Sequence, residues 1–154
     1  MRWFIWMCAF AVLAACDIDT SDVDTDDVAD PPDITGEYTV HPLTEVEGCE
    51  GVPEADTTWL EGDLTISGPP DDLLFAFGSG EELAGTVDAA FTWEVEGTVS
   101  GTSTTLEVVG EGLAFIGDQT WELDGDVALD VVDSTDGTST CTLTGRMEAE
   151  QDPP

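Results

Sequence analysis

From Ile34 onward, apolar and polar residues alternate with a period of two, the spacing of strands that turn one face to a core. Ile34, Gly36, Tyr38 and Val40 share one face, with Thr35, Glu37 and Thr39 on the other. After a loop through Cys49 and Pro53, Leu60, Gly62, Leu64 and Ile66 alternate with Glu61, Asp63 and Thr65. Ser67-Gly68-Pro69-Pro70-Asp71-Asp72 is a turn by composition. The short apolar run Leu73 to Phe77 follows it, and Gly78-Ser79-Gly80 turns the chain again. The clearest ribbon runs from Leu83 to Val99, where every odd position is apolar or glycine and the even positions are almost all Thr, Ser, Asp or Glu. Strands usually hold about five or six residues, so this one should bend or break near Asp88-Ala89-Ala90 or at a glycine.

Beyond the Ser100-Gly101-Thr102-Ser103 turn, Leu106 and Val108 occupy even positions whereas Leu113 and Phe115 occupy odd ones. That change of phase predicts a β-bulge near Val109-Gly110. Trp121, Leu123, Gly125, Val127, Leu129 and Val131 then alternate against Glu122, Asp124, Asp126 and Asp130. A last strand carries Cys141, Leu143, Gly145, Met147 and Ala149 inward, with Arg146 facing out. Thr92-Trp93-Glu94-Val95-Glu96-Gly97-Thr98-Val99 and Thr120-Trp121-Glu122-Leu123-Asp124-Gly125-Asp126-Val127 are nearly the same octet, and Trp59-Leu60-Glu61-Gly62-Asp63-Leu64 echoes it. A mid-strand glycine on the inward face suits a coiled strand where a side chain would strike the opposite wall. The expected fold class is all-β, an antiparallel meander of about seven or eight strands closed into a small barrel or sandwich. Its inward positions include Phe91, Trp93, Trp121 and Leu129, and no helical pattern appears after residue 16.

The first sixteen residues follow a different rule. Arg2 precedes an unbroken apolar run from Trp3 to Ala14, closed by small residues, in the order of an export signal. The run is too short for a spanning helix, which needs about 20 apolar residues. Leu13-Ala14-Ala15-Cys16 resembles the lipobox of bacterial lipoproteins, in which a peptidase cuts before a cysteine that has been diacylglycerylated. The resemblance implies that residues 1–15 are a cleaved signal peptide. It also implies that Cys16 carries the acyl chains and that the chain sits in the bacterial cell envelope, its domain on the exported side. Two or three chains hold a soluble domain at a membrane where one does not.

Charge narrows the partners. All 35 Asp and Glu residues follow Cys16, where Arg146 is the only Arg and no Lys occurs, and the whole chain carries a formal charge of −33. Such a field repels phosphate backbones, so no nucleic acid is expected. It also repels anionic head groups, which leaves the lipid on Cys16 as the membrane contact. Solubility explains the charge at least as well as binding does; a cationic protein partner or calcium is the sharper reading.

Residues 16–33 carry dense negative charge and no aromatic, which predicts a disordered tether holding the domain off the bilayer. Asp22, Asp24 and Asp26 alternate as in a calcium loop, without the turn glycine and closing glutamate of an EF-hand. The all-β domain is expected over residues 34–150 and a disordered tail over 151–154. Of the four cysteines, Cys8 leaves with the signal and Cys16 takes lipid. That leaves Cys49 and Cys141, which in an exported chain most simply form a disulfide. No CxxC accompanies them and His41 is the only histidine, a poor set for zinc. No metal or cofactor is expected.

Gly36-Glu37-Tyr38 resembles the Gly-x-Trp opening of lipocalins, with Tyr where that family has Trp. The resemblance implies a barrel with an internal ligand cavity. Catalysis finds no triad to build on, because His41 precedes Pro42 at a strand end and lacks a nucleophilic partner. The sequence therefore describes a lipid-tethered structural or interaction domain rather than an enzyme. A lipocalin-like carrier of a small apolar ligand and a calcium-binding surface module are the alternatives.

Overall fold

The computed structural model, which describes residues 29–52, 55–101 and 104–154, holds nine strands, all but one of which carry the alternation. They are β1 (Gly36–Val40), β2 (Thr44–Glu47), β3 (Gly62–Ser67), β4 (Leu73–Phe77), β5 (Glu82–Val87), β6 (Thr92–Ser100), β7 (Thr104–Ile116), β8 (Trp121–Asp133) and β9 (Ser139–Gln151). From β3 to β9 each strand pairs antiparallel with the next. Because β1 pairs with both β3 and β9, eight strands close a barrel with β2 left over. Closure removes the unpaired edges that would otherwise template aggregation. β2 takes up the edge of β9 beyond β1, through Thr44 opposite Arg146 and Glu47 opposite Thr144. All four of its residues are exposed, which is why no alternation betrayed it.

The expected break in the 83–99 ribbon falls at Asp88–Phe91. There the Asp88 carboxylate accepts hydrogen bonds from the backbone N–H of Ala90 (2.8 Å) and Thr92 (2.9 Å), closing the β5–β6 turn. Phe91 takes up a left-handed φ of 65° in that turn, which is unusual for a bulky residue. Instead of filling the lumen as its odd position suggested, Phe91 remains 43% exposed beside the half-buried Trp121, ring centroids 6.1 Å apart.

The bulge expected near Val109-Gly110 does not exist. β7 pairs with β6 and with β8 without a register shift over its whole length. Its even positions stay inward from Leu106 through Val108, Gly110 and Gly112 to Ala114. Leu113 and Phe115 therefore point out rather than in. The physical reason is the Trp93 ring, fully buried in the lumen. A Cβ on Gly110 would lie 3.2 Å from Trp93 Cζ3, and one on Gly125 would lie 2.6 Å from Trp93 Cζ2. Gly112 and Gly125 face each other across β7 and β8, so close that a Cβ on Gly125 would stand 2.6 Å from Gly112 Cα. The inward glycines make room for an indole.

Phe75, Leu129, Tyr38, Leu64 and Met147 complete a core with almost no solvent exposure. Ile34, just ahead of β1, is wholly buried and is held by the Tyr38 hydroxyl, which donates to the Ile34 carbonyl at 2.6 Å. Burial, reinforced by the nearby Asp33 charge, raises the Tyr38 phenol above its usual range. Thr35 donates through its hydroxyl (2.7 Å) and its N–H (3.0 Å) to the Asp33 carboxylate, holding that acid below its ordinary value. At the other end of the chain, β9 continues one residue into the tail expected at 151–154. The Gln151 side chain donates to the Thr35 carbonyl and accepts from the Trp121 N–H, while the Asp152 N–H donates to the Glu37 carbonyl.

Candidate functional site

Cys49 and Cys141 are joined by a disulfide with their Cα atoms 5.4 Å apart. Cys49 sits just past β2 and Cys141 on β9, so the bond staples the exposed β2 segment to the last strand across a sequence separation of 92. Closing a loop of that size removes unfolded-chain entropy worth about 4 to 5 kcal/mol. Cys16 and the alternating Asp22, Asp24 and Asp26 lie outside the described residues. His41 stands at the surface with its Nε2 3.8 Å from a Glu150 carboxylate oxygen, and its backbone N–H donates to the Glu148 carbonyl. Among the described residues, no group of three or more His, Cys, Asp or Glu side chains is arranged to hold a metal ion.

The feature that sequence reading missed is the outer face of β7. Once the even positions face the lumen, the odd ones are committed to solvent, leaving Val109 57%, Leu113 56% and Phe115 43% exposed. Ile116 extends the apolar run at the strand end, 65% exposed. The clue in the sequence was Gly110-Glu111-Gly112. Two glycines flanking an acid keep the period of two if glycine counts as an inward residue, as it does at Gly85 and Gly97.

Strand register surrounds these apolar residues with acid. Val109 is directly opposite Glu96 on β6, while Leu113 and Phe115 are directly opposite Asp124 and Glu122 on β8. Between them runs a row of like charges, Glu94, Glu111 and Asp126 on three successive strands. Like charges placed directly opposite one another cost stability, so this row gains nothing from the fold itself. Arg146, the only cation on the described barrel apart from any protonated His41, ends the row opposite Asp126. Its guanidinium instead donates to Asp124 Oδ2 and approaches Glu148 at 3.7 Å, a setting that raises its already high pKa. The second Asp124 oxygen, Oδ1, is buried and finds no hydrogen-bond partner.

One end of this face is concave. The β3–β4 turn folds over the neighbouring strands, where the Val87 N–H donates to the Pro70 carbonyl at 2.8 Å. The result is an open groove of about 440 Å³ with Ala84, Thr86 and Val109 on its floor; its carboxylates are Asp71, Asp72, Glu94, Glu96 and Glu111. The surface thus joins an acid-lined groove to an apolar strip along one strand. No protein-family model, curated protein or solved structure matches the chain.

Proposed function

We propose that this chain is a lipid-anchored domain of the bacterial cell envelope, held through Cys16 and acting by binding a protein partner on the exported side. The observation that carries the binding half is where the apolar surface lies: the lumen is packed around Trp93 while β7 turns Val109, Leu113 and Phe115 to solvent. A barrel that carries an apolar ligand keeps its apolar surface inside and leaves space there. The Cys49–Cys141 disulfide supports export, since such bonds persist in oxidising compartments. The Leu13-Ala14-Ala15-Cys16 motif supports the anchor. No catalytic role is proposed.

The anchor is tested by mass spectrometry of the amino terminus, on the native protein and on a Cys16→Ser variant, which by the lipobox reading is neither acylated nor cut. The expected results are an acylated Cys16 as first residue of the native protein and an unacylated variant that keeps residues 1–15. An unmodified amino terminus elsewhere in the native protein, or a variant cut before residue 16 as the native chain is, defeats the reading.

A further inference from the structure

The geometry points to the outer face of β5 to β8 as the docking surface, and to a segment of a second protein that alternates basic and apolar side chains as its occupant. The inference deepens the binding role proposed above and rests on it, but it does not depend on the lipid.

The argument begins with register. Along β7 the outward positions read Val109, Glu111, Leu113, Phe115, and each apolar member has a carboxylate directly across the ladder. Side chains so paired lie about 5 Å apart, so an apolar group and an acid are offered together in a mixed pattern. A purely cationic ligand satisfies half of this surface, and a purely apolar one buries carboxylates without partners, at a cost. A segment with lysine or arginine beside leucine or phenylalanine satisfies both. Its cations relieve the Glu94, Glu111 and Asp126 row and reach the groove carboxylates. Its apolar groups cover Leu113 and Phe115.

Charge decides against the other occupants. A second copy brings a formal charge of −33 to a face that is itself acidic, with only Arg146 to answer it. An anionic membrane surface is repelled by the same acids and by Asp88 and Asp118, which stand exposed beside Phe91 and Ile116 at the end of the barrel where β7 finishes. A basic amphipathic partner is attracted over a long range and then held by contact, the usual division between steering and affinity.

The test uses the mature chain of the lipobox reading, residues 16–154 with Cys16→Ser, so that neither the apolar leader nor lipid takes it out of solution. It uses two labelled synthetic peptides of equal charge, one alternating lysine with leucine and one alternating lysine with serine. Affinities are read by fluorescence anisotropy at physiological salt, where exposed charges beyond about 8 Å are screened. The lysine–leucine peptide is expected to bind at least about tenfold more tightly than the lysine–serine peptide, and Leu113→Ser with Phe115→Ser should erase that difference. Glu94→Gln with Glu111→Gln should weaken binding about tenfold. Glu37→Gln with Asp63→Asn, on the strands across the barrel, should change it by less than about twofold. All three substituted pairs are at the surface, so folding is preserved, and circular dichroism checks it. Equal binding of the two peptides, or equal losses from the two acid pairs, means a diffuse field rather than a docking site and overturns the inference. So do sedimentation of the chain as a dimer that Leu113→Ser with Phe115→Ser dissolves, and retention on phosphatidylcholine vesicles that the same pair abolishes. Peptide binding without lipid on Cys16 upholds the site while leaving the anchor to its own test.

Discussion

Replacing Trp93 by alanine tests whether the lumen is a packed core rather than a vessel. The indole is fully buried, and its ring edge is seated where Gly110 and Gly125 leave room. Truncating a buried Trp costs about 3 to 5 kcal/mol, the larger values arising where the surroundings cannot collapse. Here they cannot collapse easily, because Gly110 and Gly125 belong to a β7–β8 ladder that runs unbroken from Thr104–Asp133 to Ile116–Trp121. One term acts in the opposite direction. Trp93 Nε1 has no hydrogen-bond partner, and removing a buried orphan donor returns about 1 kcal/mol. The expected net loss is about 2 to 4 kcal/mol, which lowers the melting temperature of a domain of about 120 residues by about 8 to 16 °C. Trp93→Phe keeps most of the packing and deletes the orphan N–H, so it should stay within about 1.5 kcal/mol of the native protein. Thermal and urea unfolding with the disulfide intact supply the numbers. An apolar dye that binds Trp93→Ala but not the native chain would report the vacated space directly. A Trp93→Ala melting temperature within a degree or two of the native value, or equal dye uptake by both proteins, would show that the ring does not fill the barrel.

Three further outcomes follow from the same structure. Reducing the Cys49–Cys141 bond, or replacing both residues by serine, should cost about 4 to 5 kcal/mol and lower the melting temperature by about 15 to 20 °C. Identical melts with and without reductant would refute the staple. Tyr38 is the only tyrosine, so ultraviolet titration of phenolate reads it alone. Its folded pKa is raised, chiefly by burial and then by the Asp33 charge, so its contribution to stability is complete below about pH 10, the unfolded value. It is lost as pH climbs from there, because the unfolded chain ionises first. Native stability should therefore fall above about pH 10 while that of Tyr38→Phe stays flatter, and a phenol titrating near pH 10 in the folded protein contradicts the burial. At neutral pH the same variant should lose about 1 kcal/mol for the hydrogen bond to the Ile34 carbonyl, measurable by urea unfolding.

Much of the barrel was legible because an antiparallel sheet with one wet face writes its period into the chain. Tyr38, Leu64, Val95, Leu129 and Met147 were all readable as inward by parity alone. The break at Asp88 was legible too, since an unbroken ribbon from Leu83 to Val99 would be too long and Asp88 supplies the turn acceptor. The pairing of Cys49 with Cys141 followed from arithmetic on the cysteines. β2 was illegible because a strand with no buried residue has no hydrophobic period, and only the free edge of β9 makes it one.

Hydropathy alone thus determined the class and the alternation of the barrel strands, while the place of β2 and the closure of β1 on β9 came from the fold. The phase of β7 belonged to the tertiary structure, because glycine has no side chain whose polarity could announce a face. Whether Gly110 and Gly112 point in or out depends on what occupies the space beside them, and that occupant, Trp93, comes from another strand. Once its ring claimed the lumen, Leu113 and Phe115 were turned to water, and the surface proposed here for docking came into being.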